Sequence, residues 1–253
     1  MKSGFLAFLL SMFNVSCSFA AESHTIDTAV FEALDARERS IIPISAFTAS
    51  GDIERLKPAL NAGLDAGLSV NEIKEILVQL YAYCGFPRSL NAIHAFMGVM
   101  QERKTRGIED PVGKEATPLS DDMDKDAYGA EVRRKLAGWA EEPPAAGYQL
   151  FTPAIDTYLK EHLFADIFAR DVLDHRSREL VTIAALAAMN GTQGQLKFHL
   201  GAAMNTGWSI LQLRAFVAVL ETEVGHEEAA VAQQVLSDVV QERRGIDEKM
   251  VGG

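Results

Sequence analysis

The chain repeats itself. Residues 50–69 read SGDIERLKPALNAGLDAGLS and residues 190–209 read NGTQGQLKFHLGAAMNTGWS, with Gly, Leu-Lys, Leu, Ala, Gly and Ser at the same places. The match runs on at a separation of 140 positions through Leu80, Gly85, Ala92 and Val99. It ends at Gln101-Glu102-Arg103, which returns as Gln241-Glu242-Arg243. No gap interrupts about fifty residues, which chance pairing of two helical stretches rarely gives. The unit that repeats therefore decides the fold class.

That unit reads as helices. ERLKPALNAGLDAG and QLKFHLGAAMNTG carry apolar residues at helical spacing and stop at a glycine, the residue best suited to a left-handed C-terminal cap. Two residues later come Ser69-Val-Asn-Glu72 and Ser209-Ile-Leu-Gln212, both capping boxes, in which the serine and the Glu or Gln satisfy each other's orphan N–H groups. EIKEILVQLYAYCG and LRAFVAVLETEVG supply the next helix, and a further one ends at Gln-Glu-Arg. β-Branched alternation is nearly absent, so the expected fold class is all-α, internally duplicated.

Residues 107–150, with EDPVGKEATPLSDDMDKD and EEPPAAG at their core, carry the Pro, Gly and acid of a linker. One amphipathic helix is expected there, around Ala127 to Ala140. The copies are then 21–106 and 151–253. Residues 152–174 predict one or two helices leading into the second copy, with Asp166 and Arg170 at ion-pair spacing.

The first residues, MKSGFLAFLLSMFNVSCSFAAES, combine a lysine, a short apolar run and small residues. That is the layout of a secretory signal peptide over residues 1–20, and it predicts export to a periplasm or the medium. A lipoprotein reading with Cys17 acylated fits the approach Asn14-Val15-Ser16 less well. Removal of Cys17 leaves Cys84 alone, so no internal disulfide is expected. No later segment has the length and apolarity of a membrane helix. The formal charge of −11 argues against a nucleic-acid partner and against anionic lipid. It leaves a small anionic substrate open, since that needs only a local cation or helix N-terminus.

RELVTIAALAAMNG…LKFHLGAAMNTG (178–207) and IKEILVQLYAYCGFPRSLNA (73–92) together resemble the carboxymuconolactone decarboxylase family, whose relatives include alkyl hydroperoxidase D. The resemblance covers both copies. It implies a helical fold assembled as a ring of subunits, here a homotrimer or similar small homo-oligomer. It also implies chemistry without a cofactor on a small carboxylate or lactone. The hydroperoxidase branch uses a Cys-x-x-Cys pair with Glu and His as a proton relay. Here Glu179 and His199 occupy the relay positions, while the two cysteine positions fall on Thr192 and Gln195. In the first copy, Arg39 and Ala59 stand opposite Glu179 and His199.

His199 and Glu179 are thus the expected proton-handling pair, because an imidazole oriented by a carboxylate can both accept and return a proton. Tyr83, Arg88, Arg178 and Lys197 are candidate substrate-binding groups, the cations for a substrate carboxylate. Cys84 is the alternative nucleophile of a thiol-dependent peroxidase. That role requires an electropositive, partly exposed setting that lowers its pKa. A third reading is a non-catalytic binding or assembly protein on the same scaffold. Glu223-x-x-His226 has the spacing of a di-iron motif but lacks the second Glu-x-x-His such sites need, so no metal is expected. His162 and His94 admit either a pocket-lip or a plain surface reading.

Overall fold

The computed structural model describes residues 28–251, and the expected signal peptide with Cys17 lies outside them. Among the described residues there is no strand. The first copy comprises α1 (Ala36–Ser50), α2 (Ile53–Asp65) and α3 (Val70–Thr105). Helix α4 (Lys125–Ala137) lies between the copies, and a π-helical segment (Tyr158–Ile167) opens the second. The second copy comprises α5 (His175–Ala187), α6 (Gln193–Asn205), α7 (Ile210–Val219) and α8 (His226–Val251). No described helix is long and apolar enough to cross a membrane.

The copies match element for element. Helix α2 corresponds to α6, and both capping boxes form, with Ser69 accepting from Glu72 N and Ser209 from Gln212 N. Helix α3 breaks at Gly85, whose φ of 81° lies in the left-handed region that an L side chain resists. Its first half therefore corresponds to α7 with the short π turn Leu220–Val224, and its second half to α8, which begins after Gly225. A clamp repeats too, buried at Arg103 and half-buried at Arg243. Arg103 reaches back to Asp65 and Asn61 of α2, and Arg243 to Asn205 and Gly201 O of α6.

The caps correct one detail of the register. Asp35 caps α1 by accepting from Glu38 N, and Asp174 caps α5 by accepting from Ser177 N. These caps are 174 − 35 = 139 positions apart, whereas the glycines that follow the two helices are 191 − 51 = 140 apart. One extra residue therefore sits in the α5–α6 loop. Counting from the caps, Ser40 stands opposite Glu179, and Arg39 stands opposite Arg178, not opposite Glu179 as the ungapped match implies.

Helices α1 and α5 pack against each other at the centre. Helix α1 buries every residue from Ile41 to Ala49, and α5 buries every residue from Arg178 to Ala187. Such all-round burial is what a helix surrounded by other helices requires. Removing a wholly buried Ile42 or Ile44 side chain from water is worth about 1.5–3 kcal/mol each.

The segment expected to be a linker is built into this body. Val70 N and Asn71 N, free donors at the start of α3, bond to Pro111 O and Val112 O at 2.9 Å. Helix α4 crosses the π-helical segment so closely that a Cβ on Gly129 would lie 1.9 Å from Lys160 O. Val132, Leu136, Leu163, Phe164, Ile167 and Phe168 form a second small core there with Ala202 of α6, against which Tyr81 and Tyr83 pack. Asp166 and Arg170 do not pair with each other. Asp166 bonds Lys125 and His162, while Arg170 is drawn to the buried carboxylate of Glu75.

Candidate functional site

Glu179 lies in the second turn of α5 and His199 in the second turn of α6. The α5–α6 loop brings the two helices together side by side. Both side chains are buried, Glu179 completely, and His199 Nδ1 lies 2.8 Å from Glu179 Oε2. With the carboxylate accepting from Nδ1, the imidazole is fixed as the tautomer that presents Nε2 to a reactant. Nε2 has no hydrogen-bond partner among the described residues. The ring is flanked by the edges of Phe198, at 5.1 Å, and Tyr83, at 5.8 Å.

Tyr83 comes from the other copy, at the end of the first half of α3. The residue is half-buried, and its hydroxyl is buried with no partner in normal hydrogen-bond geometry, the Thr182 side chain lying near enough to ease its titration slightly. Burial, and next the charge of Glu179, push the phenol's pKa well above its ordinary value, so it stays a neutral donor. Glu179 Oε1 is also buried without a partner. Orphaned buried polar atoms are uncommon in folded proteins and mark places where water or a ligand completes the bonding. Here two of them flank one imidazole.

Behind the pair lies a support that sequence reasoning missed. Glu75 and Gln79, one turn apart on α3, reach across to α5. Glu75 pairs with Arg178 at 2.7 Å and with Arg170 at 2.9 Å. Gln79 accepts from Arg178 and donates to Arg178 O and Thr182 Oγ1. The signal was present: within IKEILVQL, Glu75 and Gln79 fall among Ile73, Ile76, Leu77 and Leu80, on the buried side of the helix. A carboxylate there needs a cation from elsewhere.

The remaining candidates are placed as follows. Arg178 is fully buried and pairs with Glu75, its terminal nitrogens also reaching Gln79 Oε1 and Arg170 O while its Nε is buried without a partner. Its expected role on a substrate carboxylate therefore gives way to holding α5 against α3. Lys197, two residues from His199 and so on another face of α6, pairs with Glu242 of α8 at 2.5 Å. That likewise takes it away from the imidazole. Arg88 is exposed and donates to Ala49 O at the end of α1. Cys84 is half-buried with its thiol 3.1 Å from Leu80 O, and burial pushes its pKa up despite the nearby Arg88.

Thr192 and Gln195, where the resemblance would put a hydroperoxidase's cysteines, carry no thiol. Thr192 turns its hydroxyl back onto Leu186 O and Met189 O, and Gln195 is exposed. His226 bonds Glu221 on the surface, and the described residues contain no group of three or more His, Cys, Asp or Glu fit to hold a metal. His162 sits beside Tyr81 and bonds Asp166, and His94 is exposed.

A helical unit present twice, with a buried Glu–His pair at the join of two helices, defines the class. The carboxymuconolactone decarboxylase family model matches residues 20–97 and again residues 153–238, and the chain belongs to that family. No curated protein matches the chain.

Proposed function

We propose that this chain is a cofactor-independent enzyme that moves a proton on a small carboxylate or lactone, with His199 as acid and base. The observation that carries this reading is the buried His199–Glu179 bond, with two unpartnered polar atoms beside it. For a carboxylate conjugated to a lactone, the C–C bond to the carboxylate breaks and carbon dioxide leaves. The electron pair passes into the lactone carbonyl as an enolate. Protonated His199 then delivers a proton from Nε2 to carbon and regains one from water. Glu179 stabilises the imidazolium while it is charged, and the neutral Tyr83 hydroxyl donates to the enolate oxygen.

A thiol peroxidase through Cys84 has less support. A reactive thiol needs its pKa lowered, and burial raises this one. The test is purified protein offered lactone carboxylates and β-keto acids, with carbon dioxide release followed. His199→Ala must remove the activity; unchanged turnover removes His199 from the mechanism.

The same reading extends to assembly and place of action. Phe86, Leu90 and Met97 are 63%, 48% and 62% exposed on the second half of α3. With Ile93 they line one side of that helix, which continues into an apolar groove of about 1010 Å³ bounded by Phe96 and Met100. A large exposed apolar patch of this kind suits the subunit contact of a homo-oligomer. Met97→Glu should lower the sedimentation coefficient of the assembly. Export is supported by the N-terminal sequence, and recovery of the protein outside the cytoplasm, shortened by about twenty residues, checks it.

A further inference from the structure

The register set by the caps generates a twin of the His199 site. Arg39, Ser40 and Pro43 on α1 stand where Arg178, Glu179 and Thr182 stand on α5. Ala59 stands for His199. From the other copy, 140 positions on, Ala215, Val219 and Glu223 stand for Glu75, Gln79 and Tyr83. Arg39, Ser40, Pro43, Ala59, Val219 and Glu223 all line one hollow of about 490 Å³.

The replacements change what the hollow can hold. An imidazole has become a methyl group and a carboxylate a hydroxyl that bonds back to Ala36 O at 2.8 Å, which leaves room where the proton-handling pair would be. The arginine has been kept but its carboxylate has not. Arg178 is neutralised by Glu75, whereas the position of Glu75 is Ala215 for Arg39. Arg39 forms no ion pair among the described residues. Its guanidinium sits 5.1 Å from the Phe31 ring centre and donates to Leu34 O, with further N–H groups to spare. Arg55, on the same lining, is steadied over Phe47 at 4.5 Å by Asp52 and by Val224 O.

We propose that this hollow is a second ligand site, for a small monocarboxylate with an apolar body. The ligand's carboxylate takes the place of the missing acid beside Arg39, and its body lies against Phe47, Pro43 and Ala59. Glu223 on the rim opposes a second negative charge, so a dicarboxylate of the same size binds more weakly. The site stands apart from the chemistry at His199 and does not rest on it.

Isothermal titration of the purified chain with sodium benzoate tests this, with phthalate as the dicarboxylate. Expected is saturable benzoate binding that persists in His199→Ala and weakens about tenfold or more in Arg39→Gln, the loss of a charge-assisted bond. Ala62→Phe, at an exposed position on the lining, plugs the hollow without disturbing the core and should abolish binding. It decides the matter if Arg39→Gln does not fold. No benzoate binding, binding retained by either folded hollow variant, binding lost in His199→Ala, or phthalate binding as tightly as benzoate overturns the proposal.

Discussion

The two equivalent sites at the joins of the copies share one backbone plan and differ in almost every polar side chain. Around His199 the two copies together supply Arg178, Glu179, Thr182, Glu75, Gln79 and Tyr83; around Ala59 the same places hold Arg39, Ser40, Pro43, Ala215, Val219 and Glu223. Four polar residues of the first set, Glu75, Gln79, Arg178 and Thr182, form one hydrogen-bonded network, and Glu179 forms a separate pair with His199. Glu75 depends on Arg178 and Arg170, Gln79 on Arg178 and Thr182, and Glu179 on His199. Losing one member strands a buried partner, so such a set tends to be kept or lost as a block. Only the arginine survives in both, and in the second hollow it is half-buried instead of sealed.

The largest effect expected from breaking this asymmetry is catalytic. His199→Ala should lower turnover by about 10²–10⁴-fold, the usual contribution of a positioned acid–base group, measured as kcat on the responsive substrate. Next comes stability. Glu75→Ala leaves the Arg178 guanidinium buried without its carboxylate, the state of Arg39 but without the exposure of Arg39. Chemical denaturation should show a loss of about 3–5 kcal/mol.

Tyr83→Phe sharpens the comparison, because it removes a buried hydroxyl that makes no hydrogen bond of normal geometry among the described residues, and Thr182 beside it is already bonded to Gln79 and Arg178 O. Stability should not fall, since no protein partner is stranded, while turnover should drop about tenfold if that donor serves the enolate oxygen. Equal turnover with unchanged stability would reduce Tyr83 to a wall. The smallest effect is at Cys84. Cys84→Ser should leave turnover within about twofold, as expected of a side chain outside the network. Because burial raises its pKa, less thiolate is present at any given pH than for a free thiol. Its alkylation by iodoacetamide should therefore lag behind that of free cysteine, and the lag should close only as pH rises through the raised pKa.

Much of the fold was legible in the residues. Capping boxes at Ser69 and Ser209 and the glycines after the helices are local devices, and local devices act the same in sequence and in space. The His199–Glu179 pair followed from the resemblance and the spacing of two adjacent helices. What escaped reading depends on contacts between distant segments. Arg178 is a plausible carboxylate clamp until Glu75, 103 residues away in sequence, is seen to occupy it. Lys197 is close to His199 in number and turned away from it on the helix. The single-residue shift between Arg39 and Ser40 lay beyond the ungapped stretch, where only the capping aspartates fix the count.

Tyr83 packing against His199 of the other repeat has a consequence for ancestry. A gene encoding either half alone would specify a polypeptide whose buried Glu–His pair lacks this aromatic neighbour, unless two such polypeptides met face to face. The present chain thus has the form of a fused homodimer, and fusion is what allows its two sites to diverge. Before joining, any substitution would have struck both sites at once; afterwards one could be remodelled while its sibling stayed intact.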